Sequence, residues 1–244
     1  MLPSDLPLPD RRPLVRPALV VALLLAVLTG FVDAVAYDRF LGIFPANQSG
    51  NAVFLGTAIG GSGQVSGWHP AVSMVAFALA IIVGELLRRR WRAPRVGAAL
   101  LGVELVLLVL VVVIAGPIDG VDLVGGVEGY VLIVLTSAAM GIQTTVIRHV
   151  AGTAVSTTYV TGAIDHIGAA VSRVMTREGR IRDERAVVVL LFVLVAYVGG
   201  AALGAAAPGE WRWAMALAAG FVAVVAAFWL VAPRRVLGDA EAPR

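Results

Sequence analysis

The chain has 244 residues, of which 59% are hydrophobic and only 14% are charged. Soluble domains carry about 25% charged residues, so this composition excludes a water-soluble fold. All 19 basic residues are arginines that lie between apolar segments instead of forming one basic face, which excludes a nucleic-acid-binding protein. Because there is no cysteine, disulfides and cysteine metal sites are excluded as well.

The chain begins with a polar, proline-rich stretch, residues 1–16, which we expect to be a disordered cytoplasmic arm. The apolar run that follows is longer than the core of a signal peptide, and we interpret it as a retained first span. A bilayer core of about 30 Å needs about 20 helical residues. Six runs meet this length when tilt is allowed for, and they are residues 17–37, 70–87, 98–115, 130–147, 186–207 and 212–232.

Two further stretches, residues 42–61 and 152–170, are apolar but hold polar residues and glycines at their centres. If both enter and leave the bilayer on one side, 17 of the 19 arginines lie on the cytoplasmic side and only Arg39 and Arg212 lie opposite. The positive-inside rule favours this arrangement over two full crossings, which would move the cluster from Arg88 to Arg95 outside. The sequence therefore predicts an all-α integral membrane protein with six transmembrane helices and two broken, re-entrant polar segments, with both termini inside, including a cytoplasmic tail at residues 233–244.

The chain also resembles itself at a fixed spacing. Gly30 and Gly141 are separated by 111 residues, and Ser49-Gly50 is separated from Thr161-Gly162 by 112. Each half, residues 17–116 and 128–232, then holds one span, one broken segment and two more spans. Three crossings per half predict an inverted repeat. Chance similarity between helices rich in alanine, valine and glycine is the alternative.

Particular motifs within residues 30–56 and 141–168 resemble a known family. They are Asp33, the [ST]-G-N at 49–51, the G-[IL]-Q at 141–143 and the T-T-x-x-T-G at 157–162. The resemblance is to the YoaK-like bacterial membrane proteins, a domain family of unknown function (DUF1275), and it covers almost the whole chain. Ser49 stands where threonine is commoner in the family, which keeps the hydroxyl. The resemblance implies a multi-pass protein of the bacterial cytoplasmic (inner) membrane and brings no catalytic residue.

The broken segments are the predicted binding site. A non-helical stretch at membrane depth persists only inside protein or beside a water-filled cavity, and a helix that starts there presents free N–H groups to a ligand. The alternative is that these polar residues only bond to neighbouring helices, while glycine pairs such as Gly56/Gly60 and Gly200/Gly204 allow close packing. The candidate substrate-binding residues are Asp33, Asn47, Ser49, Gly50, Asn51, Gln143, Thr157, Thr158, Thr161, Gly162 and Asp165.

Acidic residues within apolar spans are costly, at least about 2.5 kcal/mol each at the bilayer centre, and therefore stand out. Asp33 is a candidate partner for a cation, a proton or an arginine, and Asp165 is preferred to His166 in the second segment. The position of Glu104, six residues into its predicted span, leaves its role open. Glu85 precedes Arg88 and Arg89 by one helical turn, so an interfacial ion pair explains it.

Two classes of function remain after the motif search. No nucleotide-binding loop, hydrolase motif or metal-ligand spacing is present, so we expect no enzymatic activity, no metal and no cofactor. The first class is a small secondary transporter or channel-like permease for a small polar or anionic solute. The second is a non-transport protein, such as a lipid-contacting or assembly factor. The lipid bilayer is the expected partner, with a small solute or ion and a second copy of the chain as further candidates.

Overall fold

The computed structural model describes residues 17–39, 42–62, 68–91, 96–115, 126–146, 149–150, 153–154, 160–176, 181–207 and 210–231. The predicted arm at 1–16, the predicted tail at 233–244, and Thr157 and Thr158 lie outside these ranges. The described residues form helices α1 (Pro17–Arg39), α2 (Gln48–Ile59), α3 (Trp68–Trp91), α4 (Val96–Ala115), α5 (Val127–Val146), α6 (Val160–Met175), α7 (Ile181–Ala206) and α8 (Trp211–Val231), with strands β1 (His149–Val150) and β2 (Thr153–Ala154) between α5 and α6.

Six of these helices are long and apolar enough to cross a bilayer, which confirms the six predicted spans. The apolar stretches within them are Pro17–Asp38, Trp68–Trp91, Val96–Ala115, Val127–Val146, Ala186–Ala206 and Trp211–Val231. The other two described helices are shorter. The 12 residues of α2 extend about 18 Å and the 16 residues of α6 about 24 Å, against a hydrocarbon core of about 30 Å.

The helices pack as two groups of three and one bridging pair. The first bundle consists of α1, α6 and α7, since α7 packs on both of the others. The second bundle consists of α2, α3 and α5, since α3 packs on both of the others. Helices α4 and α8 pack on each other, and α4 also packs on α5 while α8 packs on α1. Each bundle therefore combines helices from both halves of the sequence.

Glycines bring α1 and α7 into close contact in the first bundle. A Cβ atom added at Gly200 would lie 2.7 Å from the carbonyl carbon of Val27, and one added at Gly204 would lie 2.5 Å from the carbonyl oxygen of Phe31. One added at Gly30 would lie 2.9 Å from the backbone nitrogen of Ala201. The contact partners advance in the same direction along both helices, from Val27 with Gly200 to Phe31 with Gly204, so α1 and α7 are parallel.

The second bundle is built in the same way. A Cβ atom added at Gly141 of α5 would lie 2.5 Å from the carbonyl oxygen of Phe77 on α3, and one added at Gly84 would lie 2.5 Å from the hydroxyl of Thr145. The contact partners again advance in the same direction along both helices, from Phe77 with Gly141 to Gly84 with Thr145, so α3 and α5 are parallel. At the shared end, the guanidinium of Arg88 donates to the backbone carbonyl of Thr145, one of the carbonyls that the last turn of α5 leaves free.

The bridging pair runs in opposite directions. A Cβ atom added at Gly97, the second residue of α4, would lie 2.5 Å from a ring atom of Trp229, near the end of α8. The start of α4 therefore lies beside the end of α8, and the two helices are antiparallel.

The two small-xxx-small pairs in the sequence behave differently. Gly200 and Gly204 accommodate α1, as described above. At Gly56 an added Cβ would meet nothing within 4 Å, and at Gly60 it would meet only carbonyl oxygens of its own helix. The interpretation of Gly56/Gly60 as a helix-packing pair is therefore wrong within the described part of the chain.

Candidate functional site

Asp33 lies near the end of α1 and connects three parts of the chain. Its side chain is 2% exposed. One carboxylate oxygen accepts a hydrogen bond of 2.8 Å from the backbone N–H of Ala46, in the stretch that leads into α2. The other accepts a hydrogen bond of 2.8 Å from the phenol of Tyr197 on α7. Both oxygens of this buried acid thus accept a hydrogen bond, one from the stretch before α2 and the other from α7.

The stretch between α1 and α2 turns the chain back toward the protein. Gly42 has a positive φ of 62°, which a glycine adopts without strain, and its N–H donates to the carbonyl of Ala36 at the end of α1. Asn47 then caps α2, because its side-chain oxygen accepts hydrogen bonds from the Gly50 N–H at 3.5 Å and from the Ser49 hydroxyl at 2.7 Å. These contacts start α2 next to buried Asp33.

Each residue of the S-G-N triplet at 49–51 has a separate structural role. Ser49 supports the cap through Asn47. At Gly50 the ring of Phe44 occupies the space that a side chain would need, since a Cβ added there would lie 2.7 Å from a ring atom. Asn51 is completely buried and holds the preceding loop in place.

Asn51 is the centre of a hydrogen-bond network within the second bundle. Its amide nitrogen carries two hydrogens and lies within hydrogen-bond distance of three acceptors, the Phe44 carbonyl at 2.6 Å, the Gln48 side-chain oxygen at 2.9 Å and the Ser73 hydroxyl at 3.0 Å. Its oxygen accepts from the Phe44 N–H at 3.0 Å. Ser73 on α3 also bonds to Ser137 on α5 at 2.8 Å. The network therefore joins α2, α3 and α5 through buried side chains.

Ser73 and Ser137 were not among the predicted site residues. Ser73 lies on α3 and Ser137 on α5, and both are 0% exposed. A buried serine in a membrane helix usually bonds across to a neighbouring helix, which is the signal that could have found them. Tyr197 was also missed, because nothing in the sequence distinguishes it from a tyrosine that faces lipid.

Three aromatic rings cover the loop before α2. Tyr37, Phe44 and Phe54 stack with nearly parallel planes, and their centroids are 4.7 Å to 6.0 Å apart. Tyr37 is 47% exposed, so the stack lies at the surface of the protein.

Gln143 connects α5 to α1 and is 1% exposed. Its amide nitrogen donates to the Leu25 carbonyl at 3.0 Å and to the Thr29 hydroxyl at 2.6 Å. Its side-chain oxygen is buried and has no hydrogen-bond partner among the described residues. Gln143 and Asp33 thus each carry a polar contact between the first and the second bundle.

The second polar segment differs from the first. Thr161 lies in the first turn of α6, and Gly162 is buried there. Asp165 and His166 follow on the exposed part of the helix. Among the predicted residues, the structure brings Asp33, Asn47, Ser49, Gly50 and Asn51 together around the start of α2. The hydrogen bonds found among the described residues do not join this group to α6.

Metal ligation gains no support from the described ranges, where no group of three or more histidine, cysteine, aspartate or glutamate side chains is close enough to hold an ion. His69 is 3% exposed and packs edge-on against Tyr130, with centroids 5.0 Å apart. Its role there is packing between α3 and α5.

Comparison with known proteins gives a consistent result. The family model described as "Protein of unknown function (DUF1275)" matches residues 21–228. The UPF0700 transmembrane protein YoaK of Bacillus subtilis (strain 168) is 30% identical over 146 residues, which is 58% of this chain and 61% of that protein, so the similarity spans less than two thirds of the relative. No solved structure matches. With six apolar spans and this family match, the chain is a multi-pass membrane protein that belongs to the DUF1275 family of proteins of unknown function.

Proposed function

We propose that this protein is a small secondary transporter of the bacterial cytoplasmic membrane that moves a small anionic or polar solute together with a proton. The observation that carries the proposal is the position of Asp33. Its carboxylate is buried at the start of α2 and accepts the Ala46 N–H, a donor that a bound anion would otherwise use.

The helix directions support two re-entrant segments. With six crossings and two turns back, α1 and α7 are parallel, α3 and α5 are parallel, and α4 and α8 are antiparallel. If α2 and α6 both crossed the bilayer, α4 and α8 would be parallel, and if only one crossed, α1 and α7 would be antiparallel. The close contacts at Gly200, Gly141 and Gly97 agree only with the first arrangement.

The packing supports an inverted repeat with both termini in the cytoplasm. If α1 to α4 are matched in order with α5 to α8, the α1–α7 contact matches the α5–α3 contact, and the α2–α3 contact matches the α6–α7 contact. Arg88, Arg89 and Arg90 lie in the last turn of α3, at the end that this topology places inside.

The two bundles are the units that we expect to move. Glycine packing leaves no space between α1 and α7 or between α3 and α5, and interfaces of this kind resist sliding because backbone atoms are in contact. Among the described residues, the polar contacts between the bundles include the bond from Ala46 to Asp33 and the bonds from Gln143 to Leu25 and Thr29. Rocking of one bundle against the other would break these bonds while leaving each bundle intact.

Asp33 couples the proton to the solute in this mechanism. The ionised carboxylate holds the Ala46 N–H and the Tyr197 hydroxyl. Protonation removes its charge, weakens its hold on the Ala46 N–H, and frees that donor at the positive end of the α2 dipole for an anion. The solute anion then replaces the Asp33 carboxylate as the acceptor of the Ala46 N–H, so that a proton and an anion enter the site together.

Transport into liposomes tests the proposal. Purified protein is reconstituted with a pH-sensitive dye inside, and inward gradients of nitrate, sulfate, phosphate and succinate are applied in turn. We expect at least one of these anions to acidify the interior. Asp33→Asn should abolish the acidification while leaving exchange of the labelled anion, because the neutral amide cannot carry the proton. Asp38→Asn, at an exposed position five residues further along α1, is the matched control and should behave like the wild type.

A second function, a lipid-contacting or assembly factor, is favoured by one observation. An open apolar groove runs along the outside of α8 and is lined by Trp213, Ala216, Leu217, Gly220, Phe221 and Val224. Such a surface fits an acyl chain or an apolar partner helix. If the wild-type protein moves none of the four anions and none raises its thermal stability, the transport proposal is refuted. Co-purified lipid or protein that is lost in Gly220→Leu would then support the second function.

A further inference from the structure

Glu104 is an acid that the site around Asp33 does not use. It lies on α4 and is 0% exposed. Neither of its carboxyl oxygens has a hydrogen-bond partner among the described residues. The buried residues around it on the same face of α4 are Leu100, Leu101, Leu108 and Val111, so its surroundings on its own helix are apolar.

No basic side chain bonds to Glu104 from the helices that pack on α4, which are α5, α8 and, over a few residues, α3. Titratable groups on these helices are confined to their terminal turns. They are Glu128 and Tyr130 in the first turn of α5, Arg212 in the first turn of α8, His69 in the first turn of α3, and Glu85, Arg88, Arg89 and Arg90 in its last two turns.

The position of Glu104 along α4 is deep. It lies eight residues beyond Val96, about 12 Å along the helix axis. Because Gly97 lies beside Trp229 and the helices are antiparallel, Glu104 is level with Val222 of α8, which is also 0% exposed. The repeat gives the same pairing, since the spacing of 118 residues that relates Gly102 to Gly220 also relates Glu104 to Val222. The position related to Glu104 by the repeat therefore holds a valine instead of an acid, and Glu104 lies where the two halves of the repeat contact each other.

An ionised carboxylate in this position would have no charge partner and no donor to solvate it. Burying an isolated charge is far more costly than burying a neutral acid, and acids retained at such depth in membrane proteins commonly carry protons or ions. A proton requires only one oxygen lone pair, whereas a metal ion requires several oxygen ligands, which the flanking leucines and valines do not provide.

We propose that Glu104 is a proton-binding site, held as a neutral carboxylic acid at pH 7 between α4 and α8. This inference is independent of the transport proposal, because it concerns the resting state of the protein and not the movement of a solute. It adds a second buried acid that is separate from Asp33 and lies outside both bundles.

Infrared spectroscopy of the protein in lipid at pH 7 tests the inference. An exposed glutamate ionises near pH ~4.3 and contributes no carboxylic acid C=O band at pH 7. We expect wild-type protein to show such a band and Glu104→Gln to lose it. Glu210→Gln is the matched control, since Glu210 is 62% exposed and pairs with Arg212, and it should leave the band unchanged.

A labelling experiment keeps the test decisive if Glu104→Gln does not fold. Wild-type protein made with ¹³C-carboxyl glutamate should show the same C=O band at lower frequency, while any band from Asp33 stays in place. Absence of a band that shifts with this label at pH 7 would overturn the inference. The infrared result does not depend on transport. The inference about Glu104 can therefore be wrong while anion transport is observed, or correct while no anion is transported.

Discussion

Adding a single methyl group at Gly200 should separate the two helices of the first bundle. The Cβ of Gly200→Ala would lie 2.7 Å from the carbonyl carbon of Val27 and 2.8 Å from its Cα. Carbon atoms in good contact are about 3.5–4.0 Å apart, so α1 and α7 must move apart by about 1 Å. Overpacking typically costs about 1–3 kcal/mol, and the upper end applies here because the obstructing atoms belong to the backbone and cannot rotate away.

Gly199→Ala is the control, one residue earlier on the same helix. Its Cβ would meet nothing within 4 Å, and alanine is the better helix former by about 1 kcal/mol. Because both substitutions gain the same helix propensity, the two variants should differ by the overpacking cost alone, about 3 kcal/mol, or roughly 6–12 °C in melting temperature for a chain of this size. Thermal unfolding in detergent, followed by tryptophan fluorescence, measures the difference. Equal melting temperatures for the two variants would refute the close packing of α1 on α7.

Three further substitutions test other parts of the structure in the same assay. Asn51→Leu should lower stability by about 2–5 kcal/mol, because it leaves the Phe44 N–H without its acceptor and leaves the Phe44 carbonyl with only the longer bond of 3.4 Å from the Ser73 hydroxyl; an unchanged melting temperature would contradict the network. Glu104→Leu should raise stability by about 1–3 kcal/mol, since it removes a buried acid with no hydrogen-bond partner in the part of the chain that the structure describes, and a fall would show that the acid has a structural partner. Gly42→Ala should cost about 1–2 kcal/mol because of its positive φ, whereas Gly56→Ala, in open space, should cost nothing; equal losses in both would argue against the turn.

The spans could be predicted closely because they depend on local composition. The predicted fourth span, residues 130–147, corresponds to α5 at Val127–Val146, and the others agree to within a few residues. Apolar side chains and internally bonded backbone are required wherever a chain crosses lipid, so length and hydropathy suffice to locate a span. The distribution of arginines, and not hydropathy, predicted that residues 42–61 turn back instead of crossing, and this stretch contains the 12-residue helix α2.

The site was predicted only in part. The sequence indicated Asp33 and Asn51, because an acid or an amide in an apolar segment needs a partner. It did not indicate the partners, since Tyr197 is 164 residues from Asp33 and Ser73 is 22 residues from Asn51. Small-xxx-small spacing correctly predicted close helix packing at Gly200 and Gly204 but not at Gly56 and Gly60. The spacing describes a single helix, whereas packing also depends on the helix that it contacts.

The sequence by itself determined that the chain lies in a membrane, how many helices can cross, and which buried polar groups need partners. These properties follow from the transfer of each segment from water to lipid, which depends on that segment alone. Only the tertiary structure decided that the close helix pairs combine the two halves of the chain, that Asp33 bonds to the stretch before α2, and that Glu104 has no hydrogen-bond partner among the described residues. Contacts between distant residues depend on the shapes of both surfaces at once, and no single segment records them.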